Sequence, residues 1–377
     1  MVDLKDSRAE IDRIDREIVA LFERRMQVAK DVAEYKKSVG KPIFDKARED
    51  EKLRAVEDMC RDEFNGQAAR EVFKQIMSVS RRLQYRLNQK PLDGGFKVLD
   101  FLPKSADTRV VYFGAPGSYS EQAMEECFGE EVTSFPAATF KEVMAAVRDN
   151  LADFGVLPIE NTTTGGITDS YDLMVDFDNY IVGEHVLKIN QALLGLSGAG
   201  VDDIRTVYSH AQGILQSREF LMAHPLIQAV EGGSTADAAR RVAEEGDMKK
   251  AAIASVRAAK KYGLSVLADH INSEEGNSTR FIIITGRKEH LCTADRVAVC
   301  FSLPHETGSL YSMLSNIICN GLNMTKIESR PLPGRNFEYR FFVDFEGTLT
   351  QAAVQDTLLS IRQEALEMKL LGNYKTV

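Results

Sequence analysis

The first part of the sequence contains a helical pattern that is unusually long for a small domain. Its apolar side chains recur at three- and four-residue spacings, which is the period of one helix face. They are Ile11, Ile14, Ile18, Leu21, Val28, Val32 and Tyr35. The pattern predicts a helix over about 6–38, followed by shorter helices over about 45–63 and 68–87. Because three such unequal helices form a thin core, we expect the long helix to bury apolar surface against another chain, in a homodimer or a higher homo-oligomer.

Two loop-like polar stretches, at 89–108 and 286–296, divide the 377-residue chain into three segments. We therefore expect three domains, at 1–90, 107–286 and 296–377, and this number agrees with the length of the chain. Hydrophobic residues make up 44% of the sequence and charged residues 27%, which is typical of a soluble globular protein.

The charge and the cysteine pattern exclude several classes of function. A net charge of -9 argues against nucleic acid or an anionic membrane surface as the main partner. The five cysteines form no Cys-x-x-Cys pair, so neither a disulfide framework nor a zinc site is indicated. The sequence starts with charged residues, and no apolar run approaches the length of a membrane span. We therefore expect a cytoplasmic protein.

Charged side chains interrupt the apolar face of the long helix. Arg25 and Lys36 both fall on that face when the helix is advanced by about 100° per residue. An arginine at the edge of an apolar face commonly extends its charged end into solvent, so either residue alone indicates little. Several cations buried without anions are costly, however, and together they favour a bound dianion. Arg8 lies about a quarter turn from the face of Arg25 and could serve a site of the partner chain.

The polar residues of the helical segment form a pattern that resembles the all-helical type of chorismate mutase. The similar stretches are RAEIDRIDREIVALFERRMQVAKDVAEYK, DKARE and SRRLQ, which cover nearly the whole first segment. The family pattern falls on Arg8, Arg25, Lys36, Asp45, Arg48, Glu49, Ser80 and Gln84. The resemblance implies an intertwined dimer whose long helix supplies one arginine to the site of the other subunit. It also implies the Claisen rearrangement of chorismate to prephenate.

The residue types suit this reaction. A pericyclic rearrangement transfers no proton, so the site must hold the reactive conformer and stabilise the charge that separates across the breaking C–O bond. Cationic forks and an ammonium group serve both purposes. The roles that we expect are carboxylate binding by Arg8, Arg25 and Arg48, donation to the ether oxygen by Lys36 and Gln84, and acceptance from the substrate hydroxyl by Glu49 or Asp45.

The second segment alternates short apolar runs with helical stretches. This βα alternation predicts a mostly parallel sheet in a two-lobed α/β domain, with ligands bound beyond the carboxyl ends of the strands. Four polar clusters lie there, at 114–120, 158–166, 208–212 and 232–237. Each cluster alone is typical of a helix N-cap. Four in one layer favour an anion pocket built from helix N-termini.

Together with the stretch NSTRF, these clusters resemble prephenate dehydratase across the whole second segment. The resemblance implies the two-lobed fold that is shared with periplasmic binding proteins. It makes Thr279 the essential hydroxyl and Arg280 a carboxylate partner. Other matching cleft residues are Asn161, Thr162, Ser209 and Gln216.

Prephenate loses carbon dioxide and hydroxide together and becomes aromatic, so the enzyme needs mainly to align the leaving groups. Threonine is too weak an acid to be a free proton reservoir near neutral pH. We therefore expect Thr279 to hydrogen-bond the leaving oxygen, while neighbouring polar groups orient the ring. Glu160 and His210 are the nearby titratable groups.

The third segment shows the order βαββαβ, which predicts an α+β ferredoxin-like domain. It resembles an ACT regulatory domain, and ESRP at Glu328–Pro331 matches the phenylalanine-sensing subtype. The effector residues implied by the resemblance are Gly308, Ser309, Leu310, Glu328, Ser329 and Arg330. Where the family often has Gly-Ala-Leu-Val, this chain has Gly-Ser-Leu-Tyr at 308–311.

The three resemblances together imply a bifunctional enzyme of phenylalanine biosynthesis that acts on chorismate and prephenate, with phenylalanine as its inhibitor. The chemistry calls for neither a metal nor an organic cofactor. A competing fusion of a mutase with a nicotinamide-dependent dehydrogenase is disfavoured, because no Gly-x-Gly-x-x-Gly stretch follows a predicted strand. In another alternative, the middle domain is a catalytically silent module that binds a small anion. The stretch Thr279-Arg280-Phe281 argues against it.

Overall fold

A computed structural model describes residues 3–88, 95–274 and 276–376. The predicted linker at 89–108 begins in 89–94, which lies outside the described residues, as do the outer ends of the predicted domains at 1, 90 and 377. The chain forms two compact units. The first consists of Met1–Asp93, Phe301–Met324 and Leu349–Met368, and the second of Gly94–Cys300, Thr325–Thr348 and Lys369–Val377. Within the described ranges no helix is both long and apolar enough to cross a membrane.

The helices include the three that the first segment predicts, although the second ends at Asp58 rather than at 63 and the third begins at Glu63 rather than at 68. In chain order they are α1 (Leu4–Val39), α2 (Lys46–Asp58), α3 (Glu63–Asn88), α4 (Tyr119–Phe128), α5 (Phe140–Arg148), α6 (Thr168–Asp176), α7 (Ala211–Gln216), α8 (Arg218–Ala223), α9 (Thr235–Glu245), α10 (Val256–Tyr262), α11 (Ser309–Ile318) and α12 (Ala352–Glu364). Gly40 ends α1 in the left-handed conformation, with φ of 67°. One predicted helix near 211–224 is in fact two, α7 and α8, which meet at the fully buried Ser217.

The strands are β1 (Lys97–Leu99), β2 (Arg109–Phe113), β3 (Thr133–Ala137), β4 (Phe154–Asn161), β5 (Gly165–Gly166), β6 (Tyr180–Lys188), β7 (Ala192–Gly195), β8 (Thr206–Ser209), β9 (Gln228–Glu231), β10 (Lys250–Ala254), β11 (Ser265–Ala268), β12 (Ser278–Thr285), β13 (Glu289–Leu291), β14 (Arg296–Ser302), β15 (Met324–Pro331), β16 (Tyr339–Glu346) and β17 (Glu367–Tyr374). A short 3-10 turn, Val201–Asp203, precedes β8.

In the first unit, α1 and α2 both pack on α3. Close approach is possible because α1 presents the small side chains Ala29 and Ala33, both buried. The apolar stripe of α1 remains outside this contact: Ile18 is 56% exposed and Leu21 is 65% exposed. Helix α12 also packs on α3, so the unit joins the helical segment to helices of the third segment.

The second unit contains two large sheets. One has ten strands in the order β15-β16-β14-β17-β6-β12-β4-β2-β3, with β5 beside β4, and the other has the order β11-β7-β10-β8-β9. The expected mostly parallel sheet is only partly correct, because β12 runs antiparallel to both β4 and β6. Each sheet carries its own apolar core, so the central segment has the two lobes that the sequence predicts.

The third segment has its six predicted elements in the predicted order, but they are divided between the two units. Helices α11 and α12 belong to the first unit, while most of the four strands lie in the second. Strand β17 pairs with strand β6 of the central segment at Gly372 and Ile181. A β-carbon at Gly372 would lie 2.1 Å from the backbone oxygen of Ile181, so this junction requires glycine.

Candidate active sites

Arg25 lies on the inner side of α1, where it reaches helix α3. Its Nη1 donates to the hydroxyl of Ser80 and lies 3.5 Å from the carbonyl oxygen of Ile76. The Ser80 hydroxyl in turn donates to the same carbonyl at 2.8 Å. Burial lowers the pKa of Arg25, and the nearby Glu49 carboxylate opposes that shift only in part. The guanidinium is therefore partly desolvated and suited to an incoming anion.

Lys36 lies three turns further along α1 and is also half-buried. Its Nζ donates to the carbonyl oxygen of Ile43 at 2.5 Å. Burial lowers the pKa of this ammonium group, with partial opposition from the carboxylates of Asp45 and Glu49. The two inward cations expected from the sequence, Arg25 and Lys36, thus face inward in the structure.

Gln84 and Glu49 complete the polar surroundings of these cations. Gln84 is buried on α3, and its Oε1 has no hydrogen-bond partner within the described part of the chain. Such a buried orphan is what a bound molecule would satisfy. Glu49 on α2 pairs with Arg81, which no motif had singled out. The signal available in the sequence was the position of Arg81 directly after Ser80, within the stretch SRRLQ.

Three predicted mutase residues lie apart from this group. Arg48, which we expected to bind a substrate carboxylate, is exposed and instead pairs with Glu51 at 2.7 Å. Asp45 is exposed and caps α2 by accepting from the Arg48 backbone amide at 3.1 Å. Arg8 is exposed near the start of α1, roughly 25 Å along the helix axis from Arg25.

A cavity of about 1320 Å³ lies between the two lobes of the central segment. Its walls include Thr279, Phe281, Asn161 and Gln216, together with parts of all four predicted polar clusters. Helix caps contribute to the lining: Ser118 accepts from the Glu121 backbone amide, and Ser234 accepts from that of Asp237. Three of the four clusters, those with Ser118, His210 and Ser234, therefore contain a helix N-cap as well as cavity wall, as expected for an anion pocket, whereas 158–166, described in full, contains none.

The wall of this cavity contains a hydrogen-bonded pair on neighbouring strands. Asn161, at the end of β4, is register partner of Thr279 on β12. The Asn161 Nδ2 donates to the Thr279 hydroxyl at 2.9 Å and to Asn277 Oδ1 at 2.8 Å. Its Oδ1 accepts from the backbone amides of Thr163 and Thr164. The amide orientation is thereby fixed, and the Thr279 oxygen acts as an acceptor within the protein.

Gln216 faces the same cavity from helix α7. Its Oε1 accepts from Gln191 Nε2 at 3.1 Å, and the hydroxyl of Tyr119 lies 3.3 Å from Gln191 Oε1. Gln191 and Asn277 are both buried polar residues that the motifs did not assign. For Asn277 the signal was present, since it begins the NSTRF stretch, and its Nδ2 is buried without a partner among the described residues.

Two predicted cleft residues have structural roles. Ser209 is fully buried, and its hydroxyl donates to the carbonyl oxygen of Ile253 at 2.7 Å, outside the cavity lining. Thr162 is exposed; its hydroxyl donates to the carbonyl of Gly276 at 3.1 Å and accepts from the Ser278 amide at 2.9 Å. Thr162 therefore ties the turn after Asn161 to the residues just before Thr279, whereas Ser209 links β8 to β10 in the other lobe.

Arg280 points away from the cavity, because successive residues of a strand face opposite sides of the sheet. Its Nε lies 3.3 Å from Glu184 and its Nη1 lies 3.5 Å from Glu160. Although burial opposes the charge, these two carboxylates raise the pKa of Arg280. The expectation that Arg280 is a partner for a substrate carboxylate does not agree with this position. The basic residues in the described cavity wall are instead Arg240 and Lys261.

The predicted effector residues occupy two places. Gly308, with φ of 82°, precedes Ser309 and Leu310 at the start of α11, in the first unit. Glu328, Ser329 and Arg330 lie on β15, in the second unit. There Arg330 forms two hydrogen bonds to Asp172 of α6, at 2.7 and 3.1 Å. Glu328 lies beside Gly166. Two residues earlier on the same strand, Lys326 Nζ donates to Glu160 Oε2 at 3.0 Å.

Comparison with known proteins matches two parts of the chain to established families. A chorismate mutase type II model matches residues 7–85, and a prephenate dehydratase model matches residues 110–289. The bifunctional chorismate mutase/prephenate dehydratase of Aquifex aeolicus strain VF5 is 32% identical and aligns over 99% of this chain and 98% of its own length. The enzyme of the same name from Pseudomonas aeruginosa is 33% identical and aligns over 98% of this chain and 97% of its own length. The prephenate dehydratase structure from Arthrobacter aurescens, in complex with L-Phe, has a TM-score of 0.66 at 29% identity and covers 71% of this chain and 90% of that one.

A helical site with inward cations, joined to a two-lobed domain with a polar cleft, defines a two-site enzyme that combines an isomerase with a lyase. The matching models cover both parts, and the two bacterial relatives span nearly the whole chain. The chain belongs to the bifunctional chorismate mutase/prephenate dehydratase family. It is thus an enzyme of phenylalanine biosynthesis that forms prephenate from chorismate and then dehydrates it.

Proposed function

We propose that the mutase reaction takes place around Arg25, Lys36, Glu49 and Gln84. Arg25 binds a substrate carboxylate, held in place by Ser80. Lys36 and the Gln84 amide donate to the ether oxygen as negative charge develops there, and Glu49 accepts from the substrate hydroxyl. The partial desolvation of Arg25 and Lys36 supports these roles, because an incoming dianion would offset its cost.

The remaining mutase residues are assigned to a homodimer. Arg8 is too distant from Arg25 to act in the same protomer, so it serves the site of the other subunit. The exposed stripe of α1 supports this assignment, since Ile11, Ile18 and Leu21 are each more than half exposed. Arg48 and Asp45 join the site through a change of rotamer when chorismate binds, as both lie at the start of α2 next to Glu49.

In the dehydratase cleft, the Thr279 hydroxyl donates a hydrogen bond to the departing oxygen of prephenate. The observation that carries this proposal is the hydrogen bond from Asn161 to Thr279. Because the threonine oxygen already accepts from the amide, its own hydrogen remains available to a ligand in the cavity. Gln216 and Gln191 orient the ring, while Arg240, Lys261 and the helix N-termini attract the carboxylates.

The third segment acts as an ACT domain through which phenylalanine inhibits the dehydratase. Two ion pairs support this role: Lys326 with Glu160, and Arg330 with Asp172. Both come from β15, which carries ESRP, and they reach the strand and the helix that flank Asn161. Bound L-Phe in the Arthrobacter aurescens relative also supports the identity of the effector. Phenylalanine would shift the cleft between open and closed populations.

A product assay tests these proposals together. Purified protein is incubated with chorismate, without nucleotide, and phenylpyruvate is measured with and without phenylalanine. We expect phenylpyruvate to form and phenylalanine to reduce its rate. If the middle domain were a silent anion-binding module, prephenate would accumulate instead. If a nicotinamide cofactor had to be added for prephenate to be consumed, the dehydratase assignment would be wrong.

A further inference from the structure

The mutase half contains a deeply buried arginine that the proposed mechanism does not use. Only 7% of the Arg81 side chain is exposed, on helix α3. On one side it bonds the Glu49 carboxylate of α2, and on the other its Nε lies 3.0 Å from Glu364 Oε1. Glu364 is the last residue of α12 and belongs to the third segment of the chain. One guanidinium therefore bridges a carboxylate of the mutase site and a carboxylate from the opposite end of the sequence.

The position of Glu364 is unfavourable without this bridge. Its side chain is only 9% exposed, and burial raises its pKa, with Arg81 as the main opposing charge. A carboxylate at the C-terminus of a helix also faces the negative end of the helix dipole. The Glu364 carboxylate also accepts from Asn316 Nδ2 at 3.3 Å. Removal of Arg81 would thus leave Glu364 buried without an opposing charge.

The surroundings of Arg81 hold its guanidinium group in position. The ring of Phe44 lies 5.2 Å from the guanidinium carbon, and the two carboxylates together raise the pKa of Arg81 even though burial opposes the charge. A planar guanidinium can donate in two directions at once, whereas an ammonium group is a single point charge. The bridge therefore depends on arginine and not only on a positive charge.

The bridge ends directly at the proposed reaction centre. The Glu49 carboxylate offsets part of the lowering of the pKa that burial causes at both Arg25 and Lys36. Arg81 follows Ser80, the hydroxyl that holds Arg25, and it bonds one oxygen of Glu49, Oε2. A fixed Oε2 determines where the second oxygen of the same carboxylate can point.

We propose that Arg81 is a positioning residue for the mutase reaction, which fixes the Glu49 carboxylate for the substrate hydroxyl, and that Glu364 holds Arg81 in place. This inference rests on the role proposed for Glu49. It makes the mutase reaction dependent on a side chain of the third segment, although that segment contributes no group to the reacting atoms.

The test uses the full-length enzyme, whose dehydratase reaction with added prephenate serves as an internal control for folding. In Arg81→Met we expect mutase kcat/KM to fall by about 10-fold or more, mainly through kcat, because an aimed carboxylate acts on the transition state. Glu364→Gln should cause a smaller loss, on the order of 3-fold to 10-fold, and Arg81→Lys an intermediate one. Dehydratase kcat/KM should stay within about twofold in all three.

Arg86→Gln is the matched control. Like Arg81, Arg86 lies on α3 and pairs with a carboxylate of α12, here Asp356. It does not contact Glu49. If α3–α12 packing were the only contribution of Arg81, then Arg86→Gln would lower mutase activity as Glu364→Gln does. We expect Arg86→Gln to retain it. Equal losses in the two variants would overturn the proposal.

A double-mutant cycle separates this inference from the function on which it rests. Arg81→Met is compared in the wild-type and in the Glu49→Gln background, where we expect it to have little further effect. Additive losses would show that Arg81 does not act through Glu49 and would overturn the inference alone. A Glu49→Gln enzyme with full mutase activity would instead overturn the role proposed for Glu49.

Discussion

Asn161 and Thr279 face each other on antiparallel strands, and the amide of Asn161 donates to the threonine hydroxyl at 2.9 Å. The pair lies in the wall of the cavity between the lobes. Burial of both side chains and the two loop amides bound to Asn161 hold this geometry before any substrate arrives. The cleft proposed for the dehydratase reaction is therefore preorganised around one hydroxyl group.

Replacement of Thr279 by alanine should lower dehydratase kcat by about 100-fold or more, because the donor to the leaving oxygen is lost. Thr279→Ser should retain much of the activity. Mutase activity, measured with chorismate in the same preparations, should not change. Ser209→Ala is the informative contrast, since its hydroxyl bonds Ile253 inside the lobe. We expect Ser209→Ala to have reduced thermal stability but a nearly normal dehydratase kcat. A loss of kcat as large as that of Thr279→Ala would contradict a purely structural role for Ser209.

Mixed dimers test the assignment of Arg8 to the other subunit. Arg8→Ala and Lys36→Ala should each abolish most mutase activity when purified alone. After unfolding and refolding together, half of the dimers are mixed and carry one intact site, so about one quarter of the wild-type activity should return. If Arg8 acted within its own protomer, the mixture would recover nothing. Dehydratase activity reports the yield of refolded protein.

The exposed stripe of α1 should be the main mutase-side dimer contact. Ile18→Asp places a charge on a residue that is 56% exposed in the isolated chain, and we expect it to weaken the dimer and reduce mutase activity. Gln27→Glu, which lies on a polar side of the same helix about half a turn away, should leave both unchanged. Sedimentation velocity measures the association. A fully dimeric Ile18→Asp enzyme would show that the stripe is not the interface.

Feedback inhibition should depend on Lys326. Loss of its ion pair with Glu160 in Lys326→Met would uncouple β15 from the strand that carries Asn161. We expect phenylalanine to inhibit this variant less than the wild type, while the dehydratase rate without phenylalanine stays close to normal. Arg335→Gln removes a pair with Glu338 elsewhere in the segment and should keep full sensitivity. Unaltered inhibition curves for Lys326→Met would exclude this contact as part of the coupling.

Gly372→Ala should destabilise the second unit. Its β-carbon would overlap the backbone of Ile181, and the strands would have to separate at the junction of β17 with β6. We expect a loss on the order of 1–3 kcal/mol, seen as a lower midpoint of thermal unfolding. At Gly200 the nearest atom to an added β-carbon is an Asp203 side-chain oxygen at 3.4 Å, so Gly200→Ala should be tolerated. Equal stability of the two variants would contradict the steric argument.

Local patterns in the sequence were sufficient for the helices of the first segment and for all six elements of the third. The spacing of apolar residues indicates whether a segment is a helix or a strand and which of its faces is buried. This information lies within the segment itself. The inward positions of Arg25 and Lys36 follow from the same angular count. The pairing of Thr279 with Asn161 was reached differently, through resemblance, because strand partners are far apart in the chain.

What the sequence alone determined was the order and type of most elements and the residue types needed for two reactions. Only the tertiary structure decided which side chains reach which partners. It turned Arg280 to Glu184 and Glu160, placed the Ser209 hydroxyl on Ile253, left Arg48 with Glu51, and brought Arg81 between Glu49 and Glu364. These contacts join charges and hydrogen-bonding groups that can be hundreds of residues apart in the sequence. A buried ion pairs with whichever opposite charge the fold brings near, and the spacing of apolar residues does not specify that partner.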